Sequence, residues 1–158
     1  DLGAWKHPKF AGTHVMTLDE VLETYRGRGV FLLERKSGTP QQVLDVLTKH
    51  NAIEHVVLQA YDLPFLKQIH AMSPSLAIAA LGEGDFTNRL DAFKATGAQA
   101  IHWGATLRRD EVASIHAAGL ALWMYTLNTE LTWRGAQALG IDGITTDRCD
   151  EIRGVIAK

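Results

Sequence analysis

Glu34 and Lys36, in the stretch Leu32-Leu-Glu-Arg-Lys36, are side chains whose types and spacing suggest chemistry. The run Val30-Phe-Leu-Leu that leads into them is continuously apolar and follows Gly27 and Gly29, the pattern of a strand buried on both faces in a parallel sheet. Side chains alternate along a strand, so Leu32, Glu34 and Lys36 share one face while Phe31, Leu33 and Arg35 share the other. A carboxylate and an ammonium then point the same way from the C-terminal end of a strand, where parallel barrels build their sites. A carboxylate suits a hard divalent cation, and an ammonium offsets charge on phosphoryl oxygens. The same spacing also fits an ion pair capping the strand, or a solvated charged turn.

The elements that must position this pair repeat along the chain. Thr17-Leu-Asp-Glu20 is a capping box ahead of Leu18, Val21, Leu22 and Tyr25 on one helical face. After the first strand, Thr39-Pro-Gln-Gln42 opens a helix to about His50, with Pro at its first position. Strands are expected at His55–Gln59, Ser75–Ala80, Ala98–His102, Leu120–Tyr125 and Gly143–Thr146. Helices are expected at Asp62–Met72, Asn88–Thr96, Arg108–Ala118, Glu130–Leu139 and at the C-terminal end, with Gly97, Gly119 and Gly140 as stops. Strand, helix, strand without hairpin signals means right-handed crossovers and a parallel sheet. With about six such βα units, against the ~250 residues of a complete eight-unit barrel, the 158 residues predict one incomplete parallel (β/α) barrel of TIM type spanning 1–158.

Composition is that of an ordinary globular chain, with 46% hydrophobic residues and a net charge of −2, so bulk charge suggests no nucleic-acid or acidic-membrane partner. The lone cysteine, Cys149, excludes an internal disulfide and a cysteine-built metal cluster. No run of ~18 apolar residues occurs, and Asp1-Leu-Gly-Ala-Trp-Lys lacks the zones of a signal peptide. The chain therefore reads as soluble, with its compartment open and the cytoplasm slightly favoured. Starting without Met, in what reads as a loop, it looks like a processed product or a fragment.

Among the seven histidines, His50, His55, His70 and His116 fall in or beside helices and strand starts and read as surface or packing residues. His102 ends a strand just before Trp103-Gly104, so it could face the mouth. His7 and His14 share the opening loop with Trp5 and Phe10. Gly82-Glu-Gly-Asp85 lacks the later Gly and the Lys-Ser/Thr of a phosphate loop and reads as a plain turn. Asp147 opens the last helix and reads as its N-cap.

The order of several segments is specific. Gly140-Ile-Asp-Gly-Ile-Thr-Thr-Asp-Arg-Cys-Asp150 resembles the last strand of the glycerophosphodiester phosphodiesterase family, Gly-Val-Asp-Gly-Ile-Ile-Thr-Asp-Arg-Pro, with Cys149 in place of Pro. Glu34-Arg-Lys36 is similar to that family's Glu-x-Lys strand, with Arg35 where an apolar residue is usual. Thr17-Leu-Asp-Glu-Val-Leu22 resembles Pro-Thr-Leu-Glu-Glu-Val-Leu, with Met16 for Pro, and Gln59-Ala-Tyr-Asp62 resembles Gln-Ser-Phe-Asp. Met124-Tyr-Thr-Leu-Asn128 is similar to Trp-Thr-Val-Asn, and Asp1-Leu-Gly-Ala-Trp5 to Asp-Ala-Gly-Ser-Trp.

The resemblance implies Glu34 as one of three acidic metal ligands, Lys36 as a phosphate contact, Gln59 near the site and Tyr125 as an aromatic wall beside the substrate. It places the opening loop, with His7 and His14, over the site as a gate. It also implies a divalent metal, Mg or Ca, and a role in lipid metabolism. The family's His-Arg-Gly motif, a second His and two more acidic ligands precede the matched segments, so this chain resembles the last six of eight units and holds no catalytic acid/base residue. The expected function is that of a metal-dependent hydrolase splitting glycerophosphodiesters into glycerol 3-phosphate and an alcohol, truncated so that the isolated chain is inactive or very weak and holds metal weakly or not at all. The alternative is a non-catalytic truncated barrel that acts as an interaction or oligomerisation module. Six strands would leave two open edges, which another segment or a homo-oligomer could close.

Overall fold

Every apolar run expected to be a strand pairs in parallel with the next one along the chain. The computed structural model describes residues 1–25 and 27–156. Its strands are β1 (Phe31–Glu34), β2 (Val56–Ala60), β3 (Ala77–Gly82), β4 (Ala100–Trp103), β5 (Ala121–Met124) and β6 (Gly143–Ile144). They form one six-stranded sheet in the order β1-β2-β3-β4-β5-β6. The helices are α1 (Leu18–Tyr25), α2 (Pro40–Lys49), α3 (Leu63–Met72), α4 (Leu90–Lys94), α5 (Arg109–Ala117), α6 (Glu130–Leu139) and α7 (Cys149–Ile156). Each crossover carries a helix, which is what adjacent parallel strands require. The curled sheet is an incomplete TIM-type (β/α) barrel.

Helix starts follow their caps. Glu20 N–H donates to Thr17 Oγ1 at 3.2 Å while Glu20 Oε2 accepts from Thr17 N–H at 2.7 Å. Thr39 and Gln42 do the same for α2, and Asp62 Oδ1 accepts from Phe65 N–H at 3.0 Å to open α3. Gly140 ends α6 in the left-handed region at φ 78°, a conformation that costs a residue with a Cβ. Several bounds differ from expectation. The third strand starts at Ala77 rather than Ser75, the fourth at Ala100 rather than Ala98, the sixth ends at Ile144 rather than Thr146, and the helix expected at Asn88–Thr96 shrinks to Leu90–Lys94. The Asp85 carboxylate holds Thr87 N–H and Oγ1 in a turn, and Asn88 is left-handed at φ 59°, so the chain cannot become helical earlier. This same turn is the Gly82–Asp85 segment, read from sequence as a plain βα connection.

One sheet face carries the apolar core. Leu58, Ile78, Ala80, Ile101, Trp103 and Leu122 are all essentially inaccessible and pack with Leu47, Leu66, Ile69, Phe93 and Ile115 from the helices. Their alternation with the remaining strand residues follows the period of two. Trp103 is the largest of them, with the Phe86 and Phe93 rings edge-on at 5.1 and 5.9 Å. Gly82 leaves room for it, because a Cβ there would lie 2.2 Å from the Trp103 ring.

The opposite face is concave. Gln59 on β2 touches His102 on β4 across β3, and His102 in turn touches Thr145 beyond β5. Neighbouring strands lie about 4.8 Å apart, so side chains bridge over an intervening strand only where the sheet curls toward them. Among the described residues β1 pairs with β2 alone and β6 with β5 alone, leaving two edges. Val30 and Leu32 beside the β1 edge are 68% and 43% exposed. No helix among the described residues is long and apolar enough to cross a membrane.

Candidate active site

Strand register assembles the candidate residues at one end of the concave face. Glu34 is the last residue of β1 and lies in register with Gln59, which continues to Ala79, Ala100 and Ala121. The next row on this face is Leu81, His102, Trp123 and Gly143. Small residues under large ones let the curled sheet close without collision: a Cβ at Gly143 would come within 2.7 Å of the Trp123 ring. Tyr61, Tyr125 and Thr145 follow at the strands' C-terminal ends.

Glu34 and Lys36 do point together, and their side chains form an ion pair, 29% and 78% exposed respectively. Arg35 takes the other face, as alternation requires, and its departure from an apolar residue has a physical account. Its guanidinium bonds Asp62 Oδ2 at 2.9 Å, donates twice to Gly38 O, and lies 4.6 Å above the Phe65 ring. Asp62 thus both caps α3 and anchors Arg35, tying the end of β1 to the start of the helix that follows β2.

His102 is 1% exposed and shares its two ring nitrogens between Gln59 Oε1, 2.6 Å from Nδ1, and Thr145 Oγ1, 3.1 Å from Nε2. Burial lowers its pKa to about 4, against the opposing pull of the Met124 backbone and of the Glu34 charge. The imidazole is therefore neutral at physiological pH. Its ring also stands edge-on to Trp123 at 6.0 Å and Tyr125 at 4.8 Å.

Tyr125 carries its hydroxyl to the rim, where it donates to Gly82 O at 3.0 Å and accepts from Tyr61 O–H at 2.6 Å. Burial, and then the Tyr61 hydroxyl, push its pKa well above the ordinary phenol value, so it keeps its proton. Gly104 lies against the Tyr125 ring, where a Cβ would come within 2.6 Å. The phenol ring is thus wedged between backbone and imidazole rather than free to swing.

The structure brings together Glu34 with Lys36, sets Gln59 beside Glu34 by register, and places Tyr125 on the same face. It adds Tyr61, Trp123 and Thr145, which sequence reading passed over although each lies two residues from a candidate or from a glycine on the same face. His102, one candidate among seven histidines, is at the centre. Four of the others are engaged elsewhere: His50 with Asp19 at 2.7 Å, His116 with Asp142 at 3.0 Å, His14 near Glu20 at 3.6 Å, and His7 accepting from Lys9 N–H at 3.1 Å, while His70 packs against Gly97. Asp147 is not the helix cap. The helix starts later, at Cys149, and Asp147 pairs with Asn128 through its carboxylate and its N–H, both at 2.8 Å, while Thr146 Oγ1 accepts from Arg148 N–H. Cys149 is exposed, at the first position of α7.

Among the described residues no three His, Cys, Asp or Glu side chains are grouped so as to hold a metal ion. A hard dication takes about six or more oxygens, so Glu34 by itself is not a cation site. A cleft of about 400 Å³ between the Phe86–Asp91 and Arg108–Ser114 stretches lies apart from the concave face, and its Arg108 is already paired with Asp110 and Glu111.

The family model of the glycerophosphoryl diester phosphodiesterases matches residues 1–151. YhdW of Bacillus subtilis (strain 168) is 27% identical over 161 residues, covering 96% of this chain and 66% of that protein. A glycerophosphodiester phosphodiesterase of the same organism is 26% identical over 174 residues, covering 95% and 59%. The chain thus spans less than two thirds of the length of these curated relatives. Among solved structures, an Oleispira antarctica phosphodiesterase in complex with its product sn-glycerol-3-phosphate superposes with a TM-score of 0.85 at 19% identity, over 98% of this chain and 66% of that one. A glycerophosphodiester phosphodiesterase of Agrobacterium tumefaciens gives 0.71 at 19%, over 93% and 64%. At these identities the structures show a shared fold.

Proposed function

Since the chain belongs to the glycerophosphoryl diester phosphodiesterase family, we propose that it supplies the phosphate-binding part of a hydrolase that splits a glycerophosphodiester with water into glycerol 3-phosphate and an alcohol. The observation that carries this reading is the convergence of Glu34 and Lys36 at the mouth of the concave face, in register with Gln59 and alongside the Tyr61–Tyr125 pair. Lys36 is mostly exposed, so its ammonium can leave Glu34 for a phosphoryl oxygen at small cost, because an exposed ion pair contributes ~1 kcal/mol or less. Gln59 lends amide donors, and the paired tyrosines form a wall against which a glycerol moiety can lie. A divalent metal, Mg or Ca, would draw one carboxylate from Glu34 and the rest of its oxygens from outside the described residues. The chemistry supplied there would be polarisation of a phosphoryl oxygen. Arg35, which stands where the resemblance leads one to expect an apolar residue, is accounted for by Asp62 and Phe65.

Titration of the chain with glycerol 3-phosphate tests the binding part of this reading. Lys36→Ala is expected to weaken binding about fivefold to tenfold, the scale of one partly exposed charged contact, and added salt should narrow the difference. Equal binding by the variant would remove Lys36 from the phosphate site.

A further inference from the structure

Gln59 is 7% exposed, and its amide can face either way. Its Oε1 meets His102 Nδ1 at 2.6 Å, and its Nε2 has no protein partner among the described residues although it is not one of the side-chain atoms sealed from solvent without a partner. With this orientation the amide nitrogen, not the carbonyl oxygen, is the end of Gln59 left over, on a residue whose backbone lies in register with Glu34, one strand spacing of about 4.8 Å away. Turned around, the amide would instead present its carbonyl oxygen and repel an anion. What chooses between the two is which nitrogen of His102 carries the single proton of the neutral ring. A proton on Nδ1 donates to Gln59 Oε1 and leaves Nε2 bare, which the Thr145 hydroxyl can fill by donating across 3.1 Å. A proton on Nε2 would turn toward Thr145 Oγ1 or the Met124 carbonyl. Met124 O accepts from Thr145 N–H at 2.7 Å and keeps a second lone pair, so what favours the proton on Nδ1 is the shorter contact, 2.6 Å to Gln59 Oε1 against 3.1 Å to Thr145 Oγ1.

We propose that His102 is a positioning residue: through Nδ1–H, backed by the Thr145 hydroxyl on Nε2, it locks the Gln59 amide with both N–H donors facing the phosphoryl oxygens of the substrate. This deepens the phosphate reading above and rests on it for the identity of the anion. The device explains why a fully buried, neutral histidine sits at the centre of a polar face without itself reaching solvent.

The test uses the full chain labelled with ¹⁵N and glycerol 3-phosphate as the probe, with His102→Asn and His102→Leu as variants. An Asn side chain can place its Nδ2 where the imidazole Nδ1 lies, and a Leu cannot donate. The expected spectrum at neutral pH shows Nδ1 protonated and Nε2 bare, with the Gln59 side-chain amide signals moving on addition of glycerol 3-phosphate. H102N should bind within about threefold of the unaltered chain and H102L at least about tenfold more weakly. A proton on Nε2, or undiminished binding by H102L while Gln59 and Lys36 still respond, overturns the positioning role and leaves the phosphate reading standing. Silence of both Gln59 and Lys36 toward the probe overturns both.

Discussion

By itself the 158-residue chain is expected to release glycerol 3-phosphate at least about a hundredfold more slowly than the same chain joined to the first two βα units of a longer relative, because positioned acid/base groups contribute about 10²–10⁴-fold. The groups brought to the mouth explain why. The imidazole there, His102, has hydrogen-bond partners on both ring nitrogens and is held neutral by burial to a pKa of about 4, so it cannot act as a proton donor at neutral pH. Tyr125 has its proton committed to Gly82 O and its pKa pushed up, so it is a poor acid. Glu34 is paired with Lys36. In the proposed role what remains would bind and orient a phosphate, which lowers KM without supplying the proton transfers that raise kcat. A discontinuous assay of glycerol 3-phosphate under matched metal and salt checks this. Comparable rates for the two proteins would show that the described residues hold a complete acid/base set.

Replacing Trp103 by Ala should cost the fold about 3–5 kcal/mol, the usual scale for emptying a large buried aromatic site. Trp103 is 0% exposed, is edge-packed by Phe86 and Phe93, and lies under the Arg89 guanidinium at 5.0 Å. Gly82 is moulded to its ring, and backbone cannot collapse far into the space left behind. Against a total stability of roughly 5–15 kcal/mol, such a loss leaves much of the chain unfolded in mild urea. Trp103→Phe should be far gentler, since the indole N–H is buried without a partner and its removal relieves that penalty. Urea unfolding of both variants decides the matter. A shift below about 1 kcal/mol for the alanine variant would mean that the face assigned to the core is not the one that holds the fold together.

Local signals were the legible ones. The caps at Thr17 and Thr39 were visible because each needs only a side-chain oxygen three residues before an N–H. Strand order followed from the absence of hairpin signals, and the shared face of Glu34 and Lys36 from alternation alone. Strand ends slipped by a residue or two because an apolar run such as Ser75–Gly82 does not mark where pairing begins. Long-range contacts were the illegible ones. Arg35 looked misplaced until Asp62, 27 residues on, came beside it. His102 could be given a face from its position, yet its partners Gln59 and Thr145 stand 43 residues away on either side, and only the curl of the sheet brings them together. Asp147 was misread because its helix starts later and Asn128, on a neighbouring loop, claims its carboxylate.

The proposed roles of Glu34 toward a metal and of Lys36 toward a phosphoryl oxygen are tested most directly by kcat/KM for a glycerophosphodiester in the chain joined to the two added βα units. Glu34→Gln and Lys36→Ala are each predicted to lower kcat/KM at least about a hundredfold, the first by withdrawing a carboxylate from a divalent metal and the second by removing a cation that offsets charge developing on the phosphoryl oxygens. Both side chains are at least partly exposed, so the urea midpoint should stay where it is, within the ~1 kcal/mol such pairs contribute. Retention of unaltered kcat/KM by either variant, with the fold intact, would contradict the account.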